Sequence, residues 1–262
     1  MAISYYEVHA FTDRLFAGNP AGICLLDESL PDQLMQRIAQ ENNLPATAFV
    51  HDRGGSFDLR WFSPTTELEI CGHATLASSH VLFEHGRRPE QTLVFHTRAG
   101  ELTVARSDGR LVLDFPSKKV ARCERPPLLI DSLGAQPQEV FKNGDYLVVF
   151  ETAQQILALR PNLDGLAQLP VRGVIVTASG EDCDFVSRFF APQRGIAEDP
   201  VTGSTHCALV PFWAARLGRK QLRARQLSKR GGELFCEDRG DRVGIGGTAV
   251  TYVAGTVHLP EI

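Results

Sequence analysis

The sequence predicts a strand-rich α/β or α+β fold built twice over, as two pseudo-symmetric domains each wrapped around one buried helix. Three recurring blocks carry that prediction. RWFSP at residues 60–64 returns 128 positions later as RFFAP at 188–192. The apolar stretch that opens at Gly72-His73 and closes at Gly86-Arg87 has a counterpart from Gly203-Ser204 to Gly218-Arg219, displaced by 131 to 132 positions. RAGEL at 98–102 reappears as RGGEL at 230–234, and Arg110 falls on Arg242, both 132 positions apart. Three blocks repeated in one order mark an internal duplication.

The elements follow in chain order. A helix is expected over about 31–42, with Leu34, Met35 and Ile38 on one face. Period-2 or β-rich runs FDLRWF, TLVFHT, ELTVAR, RLVLDF, YLVVF and GVIVTA, punctuated by Gly, Asp and Pro, read as strands. The helices expected at about 73–85 and 204–217 are apolar nearly all round, through Leu76, Ala77, Val81 and Leu82 in one and Ala208, Leu209, Val210 and Trp213 in the other. Such a helix is buried, so each half should close a barrel-like sheet around its own helix. Pro211 deletes one backbone bond in the second and is expected to kink it. The halves should divide in FPSKKVARCERPP, giving residues 1–117 and 118–250, with a final strand in 251–262 returning to the first half.

The composition limits what the chain can do. It has 262 residues, 43% hydrophobic and 22% charged, as a globular protein does. With 27 basic against 31 acidic residues its net charge is −4, which leaves no positive field for nucleic acid or an anionic membrane. No signal-like N-terminus or membrane-length apolar run is present, and a cytoplasmic protein is expected. Six cysteines without a CxxC pair suit reduced thiols, and neither a metal site nor a P-loop or dinucleotide loop is expected.

The two helix starts hold the chemistry. The first turn of a helix offers unpaired amides and a partial positive charge, a receptor for carboxylate or phosphate. Gly72, Gly203 and Ser204 let a ligand come close to that backbone. Single glycines at such places are usually turn residues, and the duplication is what favours the functional reading. Beside one start stand Cys71 and His73 in CGHAT; beside the other stand Glu198 and Asp199 in EDPVTGS. An Asp and a His serving one cleft form an acid/base pair that can move a proton between two atoms of a substrate. Taken singly, the Asp is more often a helix cap and the His a packed side chain. His206, Cys207, Trp61 and Trp213 read as core.

The blocks AFTDRLFAGNPAGI, NLPATAFV, LRWFSPTTELEICGHATLA and AEDPVTGSTHCAL resemble the PhzF family of phenazine-biosynthesis isomerases over essentially the whole chain. The resemblance implies the α+β, diaminopimelate epimerase-like fold, two similar domains with the active site between them, and a homodimer. It also implies cofactor-free proton transfer, as in the family's isomerisation of a dihydro-hydroxyanthranilate. Carried over by motif, Asp199 is the acid/base or substrate-amine contact and His73 handles protons or hydrogen bonds. Gly72, Ser204, Gly203, Thr202 and Asn19 bind the substrate, a small cyclic or amino carboxylate.

One departure stands out. Where the family has a catalytic Glu in N-L-S-E-T-A-F, this chain has Ala46 in NLPATAF, and a methyl group carries no proton. Three readings stay open: an engineered inactivation, a natural member with lost or changed chemistry, or a member in which Asp199 and His73 suffice. A non-catalytic carboxylate-binding protein is the contrasting class. The related two-thiol racemases need a second cysteine opposite Cys71. The repeat puts Asp199, Pro200, Val201 and Thr202 in the corresponding place, so that chemistry is disfavoured.

Overall fold

The computed structural model describes residues 2–86 and 90–259, and the chain divides into two compact units. One comprises the residues up to Asp114 with those from Gly246 onward; the other is Phe115–Ile245. Arg87, expected to close the first buried helix, and residues 260–262 of the expected last strand lie outside the described residues.

The first unit contains β1 (Ala2–Ala10), β2 (Asn19–Leu26), α1 (Asp32–Asn42), β3 (Thr47–Asp52), β4 (Phe57–Phe62), β5 (Glu67–Leu68), α2 (Gly72–Glu84), β6 (Thr92–Thr97) and β7 (Gly100–Ser107). β8 (Arg110–Pro116) follows and runs to its edge. β2 pairs parallel with β3, β3 antiparallel with β4, β4 parallel with β6, and β6 antiparallel with β7. Parallel neighbours need a crossover, and α1 and α2 supply the two. The chain's last strand, Ala249–His258, pairs antiparallel with β1.

The second unit contains β9 (Ala121–Arg122), α3 (Pro127–Leu133), β10 (Glu139–Lys142), β11 (Tyr146–Val149), α4 (Ala153–Ala158), α5 (Leu163–Ala167), β12 (Val174–Ser179), β13 (Phe185–Phe190), α6 (Gly203–Leu217), β14 (Gln221–Gln226) and β15 (Gly232–Asp238). β16 (Arg242–Gly247) and β17 (Ala249–His258) complete the chain. The series β11 to β15 repeats the pattern of β2 to β7: parallel, antiparallel, parallel, antiparallel. Here α4 with α5, and then α6, are the crossovers.

This is a mixed α+β protein in which each unit encloses one apolar helix. Eleven residues of α2, from Gly72 to Phe83, are buried. The hydroxyls of Thr75, Ser78 and Ser79 are satisfied by donating to the carbonyls of Cys71, Ala74 and Thr75, which lets polar residues sit in a dry core. In α6, Trp213 stacks on Phe185 at 5.7 Å, and its Nε1 donates to Thr177 Oγ1 on β12 at 2.9 Å. α6 runs on through Pro211 as one helix.

The outer faces carry the remaining helices. Met35, Ile38 and Ala39 of α1 pack with Cys24, Phe49 and Phe62. Leu129, Leu133, Ile156 and Leu166 bring α3, α4 and α5 onto Val148, Val176 and Phe190. These three short helices were not foreseen from the sequence. Among the described residues, no helix is long and apolar enough to cross a membrane.

Candidate active site

In the first unit, residues 18–22 and the start of α2 assemble one group. Gly18 holds φ +65, and a Cβ there would lie 2.3 Å from the Ala10 carbonyl oxygen, so the tight turn into β2 requires glycine. Asn19, fully buried, opens β2, and the backbone of the next residue, Pro20, hydrogen-bonds His73. His73 is the second residue of α2 and is 7% exposed. Its Nδ1 lies 3.5 Å from Cys71 Sγ, and its Nε2 is buried with no hydrogen-bond partner.

Burial lowers the His73 pKa to about 4, against the opposing hydrogen bond to Pro20. The imidazole is therefore neutral at neutral pH. Cys71 is the N-cap residue of α2 and its side chain makes no capping hydrogen bond, so the first amides of the helix, from Gly72 on, lie outside the helix ladder. Ala46, 0% exposed, directly precedes β3, and its carbonyl accepts from the Gly22 amide on β2 at 3.0 Å.

In the second unit, Asp199, Thr202, Gly203 and Ser204 lie along one turn of chain. Asp199 is 8% exposed and its amide donates to the Phe189 carbonyl at 3.0 Å. Thr202 is the N-cap residue of α6, yet its hydroxyl does not cap the helix. It donates instead to Asp199 Oδ2 at 2.5 Å.

Gln226, at the end of β14, locks this arrangement. Its Nε2 donates to the Asp199 carbonyl at 2.7 Å and to Thr202 Oγ1 at 3.1 Å, while its Oε1 accepts from the Thr202 amide at 2.9 Å. His206, one turn into α6, donates from Nδ1 to the Thr202 carbonyl at 2.8 Å and is pushed down to about 4 by burial. It belongs to the core, where it faces Phe185.

Ser204 has a different neighbourhood from its sequence neighbours. Its Oγ accepts from Arg172 Nη1 at 3.1 Å, and Arg172 is forked onto Asp145 through Nε–Oδ1 at 2.9 Å and Nη2–Oδ2 at 2.5 Å. Lys118, Asn143, Asp145, Arg172, Ser204 and Ala208 line a cavity of about 140 Å³. Arg172, Asp145 and Gln226 escaped the sequence reading, because a lone Arg, Asp or Gln carries no spacing signal. Among the described residues, no group of three or more His, Cys, Asp or Glu side chains is placed to hold a metal ion.

The family described as phenazine biosynthesis-like protein matches residues 8–255. An uncharacterized isomerase of Pseudomonas aeruginosa is 48% identical, over 99% of this chain and 100% of that one. A human phenazine biosynthesis-like domain-containing protein is 37% identical, over 98% of this chain and 99% of that one. Among solved structures, a PhzF family protein of Enterococcus faecalis matches with a TM-score of 0.97 at 43% identity, over 99% of this chain and 100% of that one. A probable proline racemase of Agrobacterium radiobacter, 14% identical with a TM-score of 0.62 over 98% of this chain and 93% of that one, shares the fold.

Proposed function

The chain belongs to the phenazine biosynthesis-like PhzF family of isomerases, and from that premise we propose that it moves a proton on a small cyclic or amino carboxylate without a cofactor. The observation that carries this reading is the Thr202–Asp199 hydrogen bond: a hydroxyl free to cap its helix is turned onto a carboxylate instead. A carboxylate held in this way is oriented for acid/base work. The starts of α6 and α2, where the N-cap side chains of Thr202 and Cys71 make no capping bond, supply amides for the substrate's own carboxylate, from Gly203 and Ser204 in one unit and Gly72 in the other. Substrate binding between the units, with Asn19 and Thr202 as further contacts, is part of the proposal.

The proton balance is simple. The Asp199 carboxylate takes a proton from a substrate C–H, the electron pair delocalises toward a neighbouring carbon, and a proton is returned there. His73, neutral at neutral pH, acts as a hydrogen-bonding group and not as a cationic acid, because burial holds its pKa at about 4. Its unpartnered Nε2 is the atom that supports this role.

Ala46 stands where the family has a Glu, and a missing general acid/base costs about 10²- to 10⁴-fold in rate. Turnover by this chain is therefore proposed to be slow. The family's homodimer is proposed here too, and sedimentation at micromolar concentration checks it.

The test is NMR of a dihydro-hydroxyanthranilate in heavy water with the chain as it stands, with Ala46→Glu, and with Ala46→Glu/Asp199→Asn. Deuterium incorporation should rise in the first variant and fall again in the second. Equal incorporation by the chain and its Ala46→Glu variant would remove position 46 from the chemistry. The second reading, a carboxylate-binding protein without catalysis, is favoured by Ala46 alone. It predicts binding of anthranilate with no incorporation in any variant.

A further inference from the structure

The duplication preserves one ion pair in matching geometry. Arg60 is the fourth residue of the six-residue strand β4, and Arg188 is the fourth of the six-residue strand β13. Arg60 grips Glu67 with Nε–Oε1 at 2.8 Å and Nη2–Oε2 at 2.9 Å. Arg188 grips Glu198 with Nε–Oε1 at 2.7 Å and Nη2–Oε2 at 3.0 Å. Each guanidinium also lies over a Phe two residues on, Phe62 at 5.2 Å and Phe190 at 4.9 Å. Each Glu stands five residues before the glycine that begins the enclosed helix, Glu67 before Gly72 and Glu198 before Gly203.

The remaining Nη1 ties in an outer helix in both units. Arg60 Nη1 reaches Asp32 Oδ1 at the start of α1 at 2.6 Å, and Arg188 Nη1 reaches the carbonyls of Ile156 and Leu159 at the end of α4 at 2.9 and 3.1 Å. One arginine thus joins a strand, an outer helix and the segment leading into the enclosed helix. Only a planar fork with donors along two edges does this, and a lysine ammonium does not.

The bond partners differ at Nη1, and in the first unit Arg98 also reaches Glu67 Oε2, yet the fork on the glutamate and its distance from the helix start are kept. The spacing from Glu to helix start is held while the connection from Arg to Glu lengthens from seven residues to ten. We propose that Arg60–Glu67 and Arg188–Glu198 are positioning pairs, each fixing the segment that delivers the first amides of its helix and, in the second unit, the carboxylate of Asp199. This inference rests on the reading of Asp199 as the acid/base group. Glu198 and Asp199 are adjacent, so the clamped carboxylate at 198 and the amide bonded to Phe189 at 199 hold the backbone from which the Asp199 side chain reaches Thr202.

The experiment uses the full chain with Glu198→Gln, with Arg188→Lys and, as a distant control, with Glu233→Gln, whose exposed partner is Arg223. Amide hydrogen exchange, without any ligand, is followed on peptides covering 196–206. Glu198→Gln and Arg188→Lys should speed exchange there about tenfold while α2 and the strands of the second unit keep their rates. In the Ala46→Glu background, deuterium incorporation into the same dihydro-hydroxyanthranilate should lose about 10- to 100-fold in kcat with KM nearly unchanged. The control should alter neither. Unchanged exchange over 196–206, exchange raised throughout the second unit, or a loss confined to KM would each overturn the proposal. If the Ala46→Glu chain incorporates no deuterium, the isomerase reading fails, and the ligand-free exchange of Glu198→Gln still decides whether the fork positions the segment. Glu198→Gln keeps the shape and one acceptor of a partly exposed side chain, so it answers even if Arg188→Lys does not fold.

Discussion

Thr202 Oγ1 gives its proton to Asp199 Oδ2 at 2.5 Å and accepts one from Gln226 Nε2 at 3.1 Å, so both lone-pair and proton capacity of the hydroxyl are turned to the carboxylate's side of the helix start. Hydrogen bonds to a charged group contribute about 1.5–3 kcal/mol. Thr202→Val, nearly isosteric, should lower stability in urea by about 1–3 kcal/mol at pH 7. Thr202→Ser should stay close to the parent. An equal loss in both variants would mean that the methyl group, not the hydroxyl, matters there.

Two of the buried histidines, His73 and His206, give the protein a defined pH response. His73 and His206 each titrate at about 4 when folded, against the ordinary value of 6.5. The unfolded chain therefore binds protons between pH 6.5 and 4 that the folded chain refuses, and stability must fall as pH drops through that window. The slope is about 1.4 kcal/mol per pH unit for each histidine. The carboxyls of Asp32 and Asp182, held below the usual carboxylate range by hydrogen bonds from Arg60 and Arg225, act lower on the scale. Urea denaturation at pH 4.5, 5.5, 6.5 and 7.5 should show the fall, and His206→Phe should reduce its slope, leaving the part carried by His73 and by His80, whose pKa burial also lowers. A flat profile would mean that these rings titrate normally in the folded chain.

Much of this was legible in the sequence, for physical reasons that differ by element. α2 and α6 announced themselves because a helix enclosed by sheet carries apolar or small, self-satisfied residues on nearly every face. The strands FDLRWF and TLVFHT coincide with β4 and β6 because alternation is fixed by the pleat. The short helices α3, α4 and α5 were invisible, since a helix of five to seven residues leaves too little periodicity. In the site, Asp199 and His73 were marked by motif and repeat. Gln226 and Arg172 were not, because they reach the helix start from elsewhere in the fold. Arg60 and Arg188 were inside the recurring block, but their glutamates were not matched: the insertion before Glu198 shifts the repeat offset from 128 to 131.

Asp145 holds Arg172, and Arg172 holds Ser204, so the placement of a proposed substrate contact depends on a carboxylate two steps away. Asp145 is buried while Arg172 is about one-third exposed. Asp145→Asn removes the charge that partners the guanidinium and should cost about 1–3 kcal/mol, less than for a fully buried pair because solvent reaches the arginine. Thermal unfolding measures that loss. Anthranilate binding by calorimetry should weaken in the same variant, and unchanged binding would take Ser204 out of the carboxylate's reach.

Ala46→Glu tests the site a second way, through stability instead of rate. The side chain at 46 starts from a Cβ with no exposure to solvent. A carboxyl placed there is desolvated, and desolvation raises its folded pKa above the unfolded value of about 4.3. Below that value the carboxyl is neutral in both states and carries no ionisation penalty. As pH climbs from there toward the raised folded pKa, the unfolded chain ionises and the folded chain does not, so stability is lost at about 1.4 kcal/mol per pH unit. This slope is opposite in sign to that of His73 and His206. The parent should gain stability from pH 4.5 to 6.5, and the variant should gain less or lose. The same raised pKa would bring the carboxyl toward the operating pH, where a general acid/base works best. Parallel urea curves for the two chains across that range show the difference directly. If the two profiles run parallel, the new carboxyl has reached water, and position 46 does not face a desolvated catalytic site.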